Sequence, residues 1–465
     1  MQLQDLLWAF IAIGIALLSG KALRNLLPFL KSLYLPSSVL GGFLALLVGP
    51  QALGTLTNRF TGQACSLVPD NIMQVWRGLP GLLINIVFAA LLLGNPIPGI
   101  KEIWRKAGPQ VAFGQTLAWG QYVVGITLGI LVLAPMLGLP AATGALIEIG
   151  FEGGHGTAAG MAATFRELDF PEGADLALAL ATVGLVTGIA GGSILINWAI
   201  RRKHIAPPKD LASTPLLDAD DVDEQHELAW IKTQEQQPTD PLSIHLAVVA
   251  VAVGIGWLLQ TALRQIEVHT WARNGGTEIF RYVPLFPLAM IGGLIVQIIM
   301  DRTGWNKHIN RRMMNRISGA ALDFTIVAAL GSLSTRAVSM HWQAFLLLAI
   351  TGIVWNVFAL LVIAPRIIPE HWFQRGVCDF GQSTGVTVTG LLLLRMADPT
   401  NESGTLESFG YKQLLFEPIV GGGLFTAASV PLLMRFGNIP ILILTGTLCL
   451  FWIILGRALY RRYHE

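Results

Sequence analysis

Apolar runs of membrane-crossing length recur along the whole chain, and no other feature restricts its possible folds so strongly. A hydrocarbon core of roughly 30 Å needs about 20 apolar residues of helix per crossing. Runs bounded by charge, Pro or Gly fall near 5–20, 35–53, 79–95, 110–135 and 174–200. A second set follows near 242–262, 284–300, 317–335, 342–364, 413–434 and 439–457. Only 13% of the 465 residues are charged, against about a quarter in soluble chains, so an ordinary soluble globule is excluded. The expected fold class is an all-α polytopic membrane protein. Before the first run stands only Asp5, with no Lys or Arg, so that run reads as an uncleaved span and not as a signal peptide. The net charge of +2 gives no reason to expect a nucleic-acid partner; the expected surroundings are a lipid bilayer. Cys65, Cys378 and Cys449 are too scattered for a disulfide framework or a zinc site and read as small apolar fillers.

Two further stretches, 139–163 and 376–397, are apolar but interrupted by Gly, Ser and Thr, and they hold Glu148, Glu152 and Asp379. Irregular backbone at membrane depth survives only where protein or water satisfies it, so both are expected to be re-entrant hairpins. Cytoplasmic connectors carry the excess of Lys and Arg. With the N-terminus outside, the C-terminus inside and both stretches re-entrant, 23 of the 31 Lys and Arg fall on the inner side; counting either stretch as a full span inverts everything downstream. The resulting organisation is an N-terminal repeat over 1–200 and a polar cytoplasmic linker over 201–241. A C-terminal repeat over 242–436 follows, then an extra C-terminal span and tail over 437–465.

The two halves echo one another. Phe151-Glu152-Gly153-Gly154-His155-Gly156 aligns with Phe380-Gly381-Gln382-Ser383-Thr384-Gly385 at an offset of 229, and Arg166–Asp169 aligns with Arg395–Asp398 at the same offset. Ala134-Pro135 precedes the first interrupted stretch as Ala364-Pro365 precedes the second, and Pro36 precedes Gly41-Gly42 as Pro287 precedes Gly292-Gly293. An odd number of crossings before the linker inverts the second half. The expectation is two inverted-topology repeats of five transmembrane helices, each with its re-entrant hairpin, of the kind that place a transport site where interrupted segments meet.

Those segments carry the candidate chemistry. Glycine leaves backbone N–H groups open to a ligand, and helix ends facing a cavity offer partial charges to carboxylates and cations. Gly153, Gly154, His155, Gly156 and Thr157 from the first hairpin, with Gln382, Ser383, Thr384 and Gly385 from the second, are the expected substrate-binding residues. Asp323, an acid in an otherwise apolar span, joins them as a partner for a substrate amino group or a coupling cation. Asn85, Glu152, Asp379 and Thr387 are the sodium candidates, because their oxygens suit a hard cation. Each has a plainer reading as an internal hydrogen bond or ion pair, and His155 divides between contacting substrate or protons and structural hydrogen bonding. Gly41-Gly42 reads as a helix-packing pair, and Arg336 and Arg395 as snorkelling anchors. No phosphate loop or His-Glu-x-x-His signature occurs, and no nucleophile–base arrangement favours an enzyme.

The run from Phe151 to Ala159, with Ala181-Thr182-Val183-Gly184-Leu185-Val186-Thr187-Gly188 and Gly191-Gly192, resembles the bacterial sodium/glutamate symporter family. Leu82–Ala90, Leu35-Pro36-Ser37-Ser38 with Gly41-Gly42, and Phe380–Gly390 are similar too. The resemblance spans most of the chain apart from the linker. It implies sodium-coupled import of L-glutamate by an elevator-like form of alternating access, by a homodimer in the bacterial cytoplasmic membrane. Sodium would be the coupling ion, with no organic cofactor. It does not fix the sodium ligands, and Ile439–Leu455 exceeds a plain five-plus-five plan. The alternative is a carrier of another small carboxylate or amino acid, or one coupled to protons, with Glu152 and His155 as its natural proton sites.

Overall fold

The computed structural model describes residues 3–27, 30, 35–63, 65–95, 97–205, 241–273 and 278–464. Most of the expected linker, 206–240, lies outside the described residues. Every regular element among the described residues is helical. The first half comprises α1 (Leu3–Leu26), α2 (Ser37–Val48), α3 (Asp70–Ala90), α4 (Ile100–Leu128), the short α5 (Leu146–Phe151) and α6 (Gly154–Gly160), and α7 (Glu172–Arg201). The second comprises α8 (Pro241–His269), α9 (Phe286–Thr303), α10 (Arg311–Gly331), α11 (Trp342–Phe358), α12 (Trp372–Ala397), α13 (Thr405–Phe416), α14 (Leu424–Phe436) and α15 (Asn438–His464).

Ten helical stretches among the described residues are long and apolar enough to cross a membrane, and the chain is a multi-pass membrane protein. α1 illustrates the physics. Ala9, Ile13, Ala16 and Gly20 are buried on one face, while Leu7, Ile11, Ile15 and Leu18 lie exposed on the other. Water would penalise such an apolar stripe, and lipid tails would not.

Three stretches differ from the sequence expectation. The run near 317–335 lies largely within α10, but Arg312, Arg316 and Asp323 leave that helix outside the ten apolar ones. The run near 413–434 is two helices, because Pro418 lacks an N–H and Gly421 and Gly422 hold φ of 71° and 102°. The stretch 376–397 belongs to α12, which is long enough to be counted among the ten, yet its backbone is non-helical at Gly385 (φ −149°, ψ 35°) and Val386 (φ 66°, ψ 172°). In an unbroken helix residues 378 and 390 would stand about 18 Å apart. Here the Cα of Gly390 packs against the Cys378 carbonyl, and Gly381 against Gly390, so the two limbs of α12 fold back on each other.

The helices associate in two groups. α1, α2 and α3 pack with α8, α9 and α10, while α4, α5 and α7 pack with α11, α12, α13 and α15. Glycine contacts recur between the halves. Gly41 meets the backbone of α1 at Ala16 and Gly42 meets Leu330 of α10; Gly292 meets the backbone of α8 at Ala252 and Gly293 meets Ala89 of α3. In each half the first glycine seats the preceding helix and the second seats a helix of the other half, as small residues do in lipid. The Ala-Pro pairs have a shared cause of distortion. A proline removes one helical N–H and crowds the carbonyl four residues back, and both pairs follow a five-residue π-helical turn that widens the backbone, Gly129–Leu133 and Ala359–Ile363.

Candidate functional site

The first interrupted segment breaks between α5 and α6. Gly154 has φ 68°, a left-handed conformation that a side chain rarely adopts, and its missing Cβ leaves room for the Val386 side chain. The two breaks, far apart in sequence, therefore meet tip to tip. On one side Gly156 rests on Ile84 of α3 and Leu322 of α10. On the other, α7 runs behind both tips: Gly184 lies against the Thr384 carbonyl and Gly188 against its hydroxyl. His155 is buried, with Nε2 2.9 Å from the Thr182 hydroxyl.

The second tip is held by amides from two helices. The carbonyl of Ser383, at the end of the first limb of α12, accepts from Gln121 Nε2 at 2.6 Å and Asn356 Nδ2 at 2.7 Å. Thr384 donates back to Phe380 at 2.7 Å. Beyond it lies a polar cluster from α12 and α13. Lys412, fully buried, places Nζ 3.0 Å from Asp379 Oδ1 and 2.7 Å from Gln382 Oε1. Gln413 donates to Gln382 and to Thr387, each at 3.2 Å, and Thr387 donates to Glu417 at 3.2 Å.

The two acids of the first segment differ sharply. Glu148 is saturated: Oε1 accepts from the Gly421 N–H and the Thr426 hydroxyl, both at 2.8 Å, and Oε2 from the Tyr122 hydroxyl at 2.5 Å. Glu152 is also buried, yet neither of its oxygens receives a hydrogen bond. The Ser383 hydroxyl stands beside it without forming a hydrogen bond of ordinary geometry, and the Thr157 hydroxyl is buried without a hydrogen bond. The Gly421–Gly423 turn closes over them, Gly421 against Glu152 and Gly422 against Thr157. Buried polar atoms without partners are rare, and a carboxylate with two hydroxyls is a donor set for a hard cation. No group of three His, Cys, Asp or Glu side chains gathers as a metal cluster among the described residues, so hydroxyl and backbone oxygens would have to complete such a site.

A sodium/glutamate symporter family model matches residues 2–369. The chain belongs to the sodium/glutamate symporter family. No curated protein and no solved structure matches it. The family is one of transporters, not of enzymes. The symporter match ends just before α12, so the second tip and the Lys412 cluster lie beyond the matched residues.

Among the residues singled out by sequence, Gly153–Thr157 and Gln382–Gly385 are brought together, with Glu152 between them and Thr387 and Asp379 in the adjoining cluster. Two stand apart. Asn85 on α3 donates to the Gly81 and Leu82 carbonyls at 2.9 and 3.0 Å, leaving its Oδ1 unpartnered. Asp323, exposed on α10, lies beside Ser38 of α2. Sequence reasoning missed Lys412, Glu417, Gln121, Asn356 and Tyr122, and assigned Glu148 no role. Lys412 counts as a connector cation in the charge tally, but the structure buries it, because α13 turns it onto Asp379. The available signal was Lys412, Glu417-Pro418 and three consecutive glycines within one apolar stretch.

Proposed function

We propose that this chain imports L-glutamate together with sodium by alternating access, the substrate binding between the tips at Gly153–Thr157 and Gln382–Gly385. The observation that carries this reading is the meeting of Gly154 with Val386 beside three buried side chains, Glu152, Thr157 and Ser383, whose oxygens make no hydrogen bond of ordinary geometry. Backbone N–H groups freed at the glycine breaks suit substrate carboxylates. Asp323, next in sequence to the Leu322 that touches Gly156, is the proposed partner of the substrate ammonium. Glu152, with Thr387 at the second tip, offers sodium its oxygens; Asn85 Oδ1 is a further candidate.

The recurrence of the glycine crossings and π-turns in both halves supports two inverted repeats with re-entrant tips. The group containing both tips is the candidate moving body and the α1–α3 with α8–α10 group the candidate scaffold, in a homodimer of the bacterial cytoplasmic membrane with the N-terminus outside and the C-terminus inside. Binding of labelled glutamate to the purified protein tests the site: sodium should raise it and choline should not, and equal binding in both would refute the coupling.

Glu152 supports a second reading. A buried carboxylate without a donor is costly unless a cation or a proton neutralises it, so the same site would serve a proton-coupled carrier of another small carboxylate. Uptake driven by a pH gradient in the absence of sodium would select that reading.

A further inference from the structure

Lys412 is a fully buried cation beside the tips. Two oxygens surround its Nζ, Asp379 Oδ1 at 3.0 Å and Gln382 Oε1 at 2.7 Å, and the Phe416 ring centroid lies 4.0 Å away. Gln110 Nε2 lies 3.5 Å from the same Asp379 oxygen, while Asp379 Oδ2 has no hydrogen-bond partner. The aliphatic stem has a slot reserved for it: α4 carries Gly114 where Lys412 Cε passes, and any Cβ there would overlap the lysine. Without the ammonium, Asp379 and Gln382 would present a carboxylate and an amide oxygen in a dry wall, a set that takes a monovalent cation. An ammonium and a sodium ion carry the same charge and seek the same oxygens, but the ammonium is tethered and never exchanges with solution.

We propose that the Lys412 ammonium is a built-in cation, occupying at the second tip a position that would otherwise need an ion from solution, so that exchangeable sodium binds only on the Glu152 side. The inference rests on the sodium-coupled reading above. It explains why Asp379 Oδ1 and Gln382 Oε1 hold a cation from the protein itself while Glu152, Thr157 and Ser383 bind none.

The test is the sodium dependence of thermal unfolding of the purified full chain, with choline chloride holding ionic strength constant. Lys412→Ala should be destabilised in choline and recover as sodium rises, adding one sodium-dependent step to that of the wild type. Lys412→Ala combined with Asp379→Asn removes both charges and should return to the wild-type sodium dependence. A Lys412→Ala protein with unchanged sodium dependence overturns the proposal, as does an extra step that survives in the double variant. Should the single variant aggregate in both salts, the double variant decides alone: wild-type sodium dependence supports the proposal and its loss overturns it. A wild type indifferent to sodium would count against sodium coupling itself, whereas a responsive wild type with an unresponsive Lys412→Ala would count against Lys412 only.

Discussion

Replacing Glu148 by alanine should unclasp the site from its surroundings, and the structure allows the loss to be sized. The carboxylate binds three donors from three places: Tyr122 on α4, the Gly421 N–H of the turn after α13, and Thr426 on α14. Hydrogen bonds to a charged acceptor contribute roughly 1.5–3 kcal/mol each, and a stranded buried donor costs about 1–3 kcal/mol. The two hydroxyls can turn elsewhere, but the Gly421 N–H cannot. Truncation should therefore cost about 3–5 kcal/mol, at the upper end of single-residue effects. Glu148→Gln keeps an oxygen for Gly421 and Thr426 and offers its amide to the Tyr122 hydroxyl, so it should cost only about 1–2 kcal/mol. A thiol-reactive fluorophore reports this, because Cys378 and Cys449 are buried and react only on unfolding, once the exposed Cys65 has been changed to serine. The expected order of melting midpoints is wild type, Gln, Ala. An Ala variant that melts with the wild type, or above the Gln variant, would refute the reasoning.

Three other substitutions read the tips and the helix beside them. Val386 holds φ 66° and ψ 172°, a region almost restricted to glycine and costing about 1–3 kcal/mol for a side chain; Val386→Gly should raise the melting midpoint, and an unchanged or lower one would show that the strain is not stored there. Gly154→Ala adds a Cβ at positive φ for about 1–2 kcal/mol and strikes Val386, so Val386→Ala should restore part, not all, of the lost stability, as a double-variant melting series would show. Asp323→Asn should lower glutamate uptake more than tenfold, about 1.4 kcal/mol or more of lost interaction, at an unchanged melting midpoint; normal uptake would remove Asp323 from the site.

The tips themselves were legible because membrane helices leave so few ways to explain Gly-Gly-His-Gly-Thr and Gly-Gln-Ser-Thr-Gly inside apolar runs. The Pro36/Pro287 and Ala-Pro echoes were legible for the same reason, since each marks a place where the backbone cannot be an ordinary helix. The glycines of Gly41-Gly42 do pack helices, as read. What escaped was the set of side chains that only tertiary structure brings together. Lys412 is indistinguishable in sequence from a connector cation until α13 is seen to bury it against Asp379 and Gln382. Gln121 and Asn356 are single polar residues in apolar helices, and only the fold shows that both donate to the Ser383 carbonyl. Glu148 and Glu152 look alike four residues apart, yet the Gly421–Gly423 turn satisfies one and leaves the other open. That turn was hidden because Pro418 and three glycines divide what hydropathy alone reads as one span.

The central claim is that sodium and glutamate meet where the tips of the two interrupted segments meet. Its most direct test is the initial rate of labelled glutamate uptake into proteoliposomes, with an inward sodium gradient or with choline in its place, for the wild type and for Glu152→Gln. Concentrative uptake that requires the sodium gradient in the wild type and is lost in Glu152→Gln is the predicted result. Uptake indifferent to the sodium gradient, or a Glu152→Gln protein as sodium-dependent as the wild type, would contradict it.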